Sequence, residues 1–230
     1  MINFSNPRMF LLLMMLFAFG PQMVRRITSN PVSFLLTIPA VLWAISFHEF
    51  SHGYAAKLVG DSTAERHGRL TLNPMAHFDP IGTLCLLFAG FGWAKPVPIN
   101  TRYFRNPKRD IVIVSLAGAA GNILTAAVFI LIWRFLGTSI FALAGRAGRI
   151  VFEQMIFINI GLASFNLIPI PPLDGSKVLY AFLPFNALKY YYWLERYGMF
   201  ILIGLLATGL IRVLVNPIFI FITRILWTLA

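Results

Sequence analysis

The sequence predicts an all-α polytopic membrane protein, with five or six transmembrane helices and a short re-entrant or β-hairpin-like loop near residues 81–98. Three observations carry that prediction. Of 230 residues, 58% are hydrophobic and only 12% charged, and the mean hydropathy is +0.77. A soluble domain keeps roughly a quarter of its residues charged, so this chain cannot cover its apolar surface with water-compatible side chains. The apolar residues also fall in long runs, at roughly 9–24, 32–59, 81–93, 110–136, 151–172, 197–215 and 217–229. Finally, nineteen Lys and Arg stand against eight Asp and Glu. In a membrane protein that excess belongs to cytoplasmic loops facing anionic lipid. No aromatic-rich basic module accompanies it, so nucleic acid is not an expected partner; the lipid bilayer is.

A spanning helix needs about 20 mostly apolar residues. The run 9–24 is shorter and carries Pro21, but spans with its flanks. Gly20-Pro21-Gln22 is a poor cleavage site, so this run is expected to stay as a helix rather than leave as a signal peptide. The runs 32–59, 110–136 and 151–172 meet the required length, and 197–215 comes close. The last run follows Asn216-Pro217, where it is expected to continue the previous helix past a kink or to turn back. The run 81–93 is short, punctuated by glycine and followed by Lys95-Pro96-Val97-Pro98-Ile99. It reads as a strand pair or re-entrant loop, which is tolerated at membrane depth only against protein or along a cavity. Residues 1–230 thus form one membrane-embedded domain, with a core of about 32–183 and peripheral helices 9–24 and 197–229. No internal repeat is present.

Basic residues set the expected orientation. Lys57, Arg66, Arg69, Lys95, Arg102, Arg105, Lys108 and Arg109 fall from the end of the second apolar run to the start of the fourth, and Lys177, Lys189 and Arg196 follow the fifth. Placing both groups in the cytoplasm makes the helix 32–59 run inward. Cys85 is the only cysteine, which excludes an intramolecular disulfide and a cysteine metal cluster.

The chemistry-bearing segment lies near the end of that inward helix: Phe47-His48-Glu49-Phe50-Ser51-His52-Gly53. Histidines four residues apart share a helix face, where both imidazoles reach a single ion. Glu49 can lean toward a water in the ion's open position, the arrangement of a zinc-dependent hydrolase with a glutamate base. Ionisable residues inside a membrane are costly and usually functional. A catalytic zinc takes three protein ligands, and the remaining candidates are His67, His77, Asp61, Glu65, Asp79, Asp110, Glu153, Asp174 and Glu195. Asp174 stands out by position, after Asn166-Leu-Ile-Pro169-Ile-Pro171-Pro172-Leu173 and before Gly175. There prolines end a membrane helix and glycine permits close backbone approach. Asp79, in Asn73-Pro74-Met75-Ala76-His77-Phe78-Asp79-Pro80, is its rival. The residues alone leave that choice open. His77 and Asp79 read as loop-shaping residues and His67 as a solvated one.

Two motifs resolve it by resemblance. His48-Glu49-Phe50-Ser51-His52-Gly53 on one helix, and Asn166-Leu167-Ile168-Pro169-Ile170-Pro171-Pro172-Leu173-Asp174-Gly175 at the end of another, resemble the site-2 protease family of intramembrane zinc metalloproteases, peptidase family M50. The chain looks like the compact branch without PDZ or CBS domains. Supporting stretches are Gly68–Pro74, His77–Thr83, Gly92–Pro98 and Ala117–Asn122, so the likeness covers about residues 40–183 in order. It implies one Zn²⁺ held by His48, His52 and Asp174, Glu49 as the general base, and a substrate that is a transmembrane segment of another membrane protein. It also implies a multi-pass cell-membrane protein, its active site toward the cytoplasmic side on the orientation above. Asn122 and Asn166, amides in apolar helices, are candidates for oxyanion donors or for holding the substrate backbone, with interhelical bonding as the competing role. The 81–98 segment is expected to pair with an unwound substrate as an added strand. Two other classes are weighed: a metal-ion transporter using the same histidines, and an inactive membrane scaffold. Transport calls for several acidic stations along a path, whereas Glu49 is the one acid well inside an apolar run, with Glu153 nearer an interface. The intact Glu49 argues against the scaffold.

Overall fold

The computed structural model describes residues 24–25, 27–80, 82–84 and 93–229. Most of the expected helix 9–24, together with Ile81 and residues 85–92 of the expected loop, lies outside the described residues. The elements are α1 (Pro31–Leu58), α2 (Thr63–Arg66), α3 (Pro74–His77), a 3₁₀ turn (Thr101–Tyr103), α4 (Pro107–Asn166), α5 (Asp174–Phe182), a second 3₁₀ turn (Phe185–Ala187), α6 (Leu188–Ala207) and α7 (Ile211–Leu229). There is no strand among the described residues. Helices α1, α4 and α7 are long and apolar enough to cross a membrane.

Helix α1 starts at Asn30, whose side chain accepts a hydrogen bond from Ser33 N at 3.0 Å, with Pro31 preset for the first turn. One face carries Val41, Ile45, His48, His52 and Ala56, spaced three and four apart, and is buried. The opposite face leaves Leu35, Tyr54 and Leu58 exposed to the surroundings, as a lipid-facing surface should. Helix α4 opens on a reciprocal cap. Asn106 Oδ1 accepts from Arg109 N, and Asp110 Oδ2 accepts from Asn106 N at 2.7 Å.

The runs 110–136 and 151–172 form two arms of α4. At Gly145 the backbone turns to φ 59°, ψ −153°, a conformation that glycine reaches without a Cβ penalty. Beyond it the chain reverses, for Trp133 meets Arg149, Phe129 meets Phe152 and Asn122 meets Asn159. Helix α7 lies along this hairpin through Ile222 and Leu226, which pack with Ala126, Ile130, Ile156 and Ile160.

Two boundaries differ from the sequence expectation. The second arm stops at Asn166 rather than near 172, because the Pro169, Pro171 and Pro172 segment carries no helical hydrogen bonding. Toward the C-terminus the break falls at Gly209, not at Asn216-Pro217. Gly209 takes a left-handed φ of 75° and its N–H bonds to Leu206 O, closing α6. Pro217 sits inside α7 at the cost of one backbone bond.

The first arm of α4 packs on α1 through residues that have no bulk to offer. A Cβ at Gly121 would lie 2.2 Å from Ser51 Oγ. Small residues let membrane helices approach closely where no hydrophobic effect drives them together. Gly121→Ala should therefore destabilise the protein by about 1–3 kcal/mol. Gly161→Ala, where nothing lies within 4 Å, should cost nothing measurable. Thermal unfolding in detergent checks the contrast.

Candidate metal centre

His48 and His52 stand one turn apart on the buried face of α1, and α4 fixes both rings from behind. His52 Nδ1 lies 2.7 Å from the backbone carbonyl of Val114, which can only accept, so Nδ1 carries the proton. His48 Nδ1 lies 2.7 Å from Asn122 Oδ1. The amide of Asn122 is held in that sense because its Nδ2 donates to Ala44 O at 2.9 Å and to Asn159 Oδ1 at 2.8 Å. Asn159 is oriented in turn by donating to Met155 O. With both Nδ1 atoms donating, the neutral rings turn their Nε2 lone pairs forward, the tautomer a metal requires.

Asp174 meets them from the first turn of α5. Its Oδ2 lies 3.2 Å from His48 Nε2 and 3.0 Å from His52 Nε2, and the two Nε2 atoms are 3.0 Å apart. Its other oxygen, Oδ1, accepts from Lys177 Nζ at 2.8 Å, which favours the ionised carboxylate. Three electron-pair donors at such separations repel unless a cation lies among them. Tetrahedral zinc with nitrogen and oxygen ligands at about 2.0–2.2 Å would set its ligand atoms about 3.3 Å apart. Gly118 completes the fit: a Cβ there would lie 2.4 Å from His52 Nε2 and 2.7 Å from His48 Nε2, so the missing side chain leaves the space next to both donors open.

Glu49 lies beside this cluster, lining with it a cavity of about 360 Å³ whose walls include Ile45, Val97, Asn166 and Lys177. Its Oε2 accepts a hydrogen bond from Val97 N at 2.9 Å. Val97 sits between Pro96 and Pro98, which have no N–H to give, in a non-helical stretch (93–100) that passes the cavity. That stretch is tied along its length. Lys95 N bonds to His77 O, Arg69 donates to the carbonyls of Lys95 and Pro96, and Asn100 N donates to Asp61 Oδ2.

Of the residues singled out from sequence, His48, His52 and Asp174 are brought together and Glu49 faces the same cavity. Asn166 lines the cavity, with Nδ2 donating to Leu162 O at 3.0 Å. Asn122 does not line it: fully buried, with both amide hydrogens donated and its oxygen on His48, it stands behind the His48 ring. Asp79 is not in the cluster, and its Oδ1 accepts instead from Gly82 N at 2.8 Å. His77 bonds to Thr71 O and His67 to Thr63 O. The sequence reading passed over Asn159, although an amide in an apolar helix is the signal that marked Asn122 and Asn166. It also passed over Val97, which the flanking prolines mark, and Gly118 and Lys177.

Comparison with known proteins gives the family. The family model described as Peptidase family M50 matches residues 146–205, which hold the second arm of α4, Asp174 and most of α6. A Bacillus subtilis (strain 168) protein named "Putative zinc metalloprotease YwhC" is 37% identical over 170 residues, covering 73% of this chain and 78% of that one. A Mycolicibacterium smegmatis protein named "Putative zinc metalloprotease Rip2" is 29% identical over 194 residues, 79% of this chain and 71% of the other. No solved structure matches. The chain belongs to peptidase family M50, the site-2 protease family. It is a membrane-embedded zinc metalloprotease.

Two substitutions that leave the donor atoms in place test the setting of the rings. Asn122→Leu removes the acceptor that orients His48 and should weaken zinc binding about 10- to 100-fold. Gly118→Ala places a methyl beside both Nε2 atoms and should weaken it at least as much. Competition with a chromophoric chelator measures both.

Proposed function

We propose that the protein hydrolyses a peptide bond within or near a transmembrane segment of another membrane protein, at one zinc held by His48, His52 and Asp174, with Glu49 as the general base. The observation that carries this is the meeting of two outward-turned Nε2 atoms and one carboxylate oxygen, with a glutamate beside them, in a cavity between apolar helices.

The zinc, when bound, supplies Lewis acidity that brings the pKa of water toward neutrality and polarises a carbonyl. Glu49 takes the proton from the attacking water on Oε1, since Oε2 is engaged by Val97 N. The same hydrogen bond fixes the carboxylate, so the base does not swing away from the cavity. Protonated Glu49 then delivers the proton to the leaving amine. Asn122 acts indirectly, through the ring of His48. Asn166, on the cavity wall, is placed to meet the substrate backbone.

A helical substrate has its carbonyls hydrogen-bonded internally and must unwind before attack. Trp93, Ala94, Pro96 and Val97 line the cavity, where an unwound segment would pass. The cavity opens toward the cytoplasm, a reading supported by the basic residues around the C-terminal end of α1 and the start of α4: Lys57, Arg66, Arg69, Lys95, Arg102, Arg105, Lys108 and Arg109.

Glu49→Gln keeps the shape and the ligands but removes the base. It should retain wild-type zinc while cleaving a membrane-segment substrate about 10²–10⁴-fold more slowly. Zinc analysis and a gel-based cleavage assay on the same preparation decide it; cleavage at the normal rate would remove Glu49 from the mechanism.

A further inference from the structure

Asp174 uses its two carboxylate oxygens differently. Oδ2 points at the histidines, while Oδ1 accepts a hydrogen bond from Lys177 Nζ at 2.8 Å. Lys177 is three residues on, so α5 presents the ligand and its partner on one face. An exposed pair of that kind contributes little to stability. Here the carboxylate half is nearly covered, with 11% of the side chain exposed against 47% for Lys177. Lys177 also lies on the border between two cavities. One is the cavity containing Glu49; the other, of about 470 Å³, is reached past His52, Val97 and Ile99 and is lined by Tyr180, Tyr191, Tyr192 and Glu195. The ammonium group is thus held where it touches the ligand and faces the space around it.

We propose that Lys177 is a positioning residue that keeps Asp174 a one-oxygen ligand. A carboxylate with both oxygens free turns readily about its Cβ–Cγ bond and can bind a metal through both. With Oδ1 occupied by Lys177, only Oδ2 reaches the metal, and the fourth position stays open for water, as a catalytic zinc requires. The proposal rests on the assignment of His48, His52 and Asp174 as the ligands.

The test is the visible absorption of cobalt-loaded full-length protein in detergent, because cobalt bands report coordination number directly. Wild type and Lys177→Arg, which keeps a charged donor, should both show the intense bands of a four-coordinate ion. Lys177→Met frees Oδ1, and its bands should weaken severalfold as the site becomes five-coordinate. Its hydrolysis rate should fall about 10- to 100-fold with KM unchanged. Lys177→Ala repeats the comparison should methionine disturb α5. Four-coordinate bands in both the methionine and alanine variants would overturn the proposal and leave the ligand assignment standing. Wild type that takes up no cobalt would overturn both.

Discussion

At Gly118 and Gly121 the backbone of α4 comes so near α1 that one added methyl group would collide with His48, His52 or Ser51. Everything else about the centre follows from that approach. It brings the Val114 carbonyl and the Asn122 amide within 2.7 Å of the two Nδ1 atoms, which settles the tautomer of both rings. It also leaves an opening beside the Nε2 atoms where any side chain would otherwise sit. In a membrane, such contact is favoured by packing and by polar bonds rather than by expulsion of water. The helices supply both, with Trp43 donating to Thr125 near the same seam.

The polar groups sunk into this seam would be expensive if unpaired. Instead they form a continuous chain: Met155 carbonyl to Asn159, Asn159 to Asn122, Asn122 to Ala44 and to His48. Both arms of α4 are needed for it, so the reversal at Gly145 is part of the site even though it lies far along the chain. Asp174 comes from a third place. Its approach depends on the proline segment that ends α4, and on Gly175, where a Cβ would lie 2.4 Å from Leu167 O. Gly198 lets α6 lie equally close against Pro171. Two glycine contacts thus hold the turn that delivers Asp174.

How much of this was legible depended on the range of the signal. His48, Glu49 and His52 are readable because helix geometry alone sets residues i and i+4 side by side. Asp174 lies 122 positions beyond His52, and its composition and local context did not separate it from Asp79; only the likeness of the Asn166–Gly175 motif did. The helical class and the main apolar segments were plain from hydropathy. The C-terminal break was not, since Pro217 is the louder residue and yet is absorbed within α7, while Gly209 ends α6 by a left-handed turn that many glycines do not make. Asn122 was visible as an important amide, but whether it faced the cavity or the back of a histidine was decided by packing between helices. The bond from Val97 N to Glu49 joins residues 48 positions apart and had no local signature beyond the two prolines around it.

The most direct test of the account is the metal content of the detergent-purified protein, measured for wild type beside His52→Ala, Asp174→Ala and Asp79→Ala. The geometry predicts about one zinc per chain in wild type, as a single three-ligand catalytic site requires. That zinc should be lost with His52→Ala and Asp174→Ala and kept with Asp79→Ala. Full zinc in the Asp174→Ala protein, or its loss in Asp79→Ala, would contradict the ligand set on which the mechanism is built.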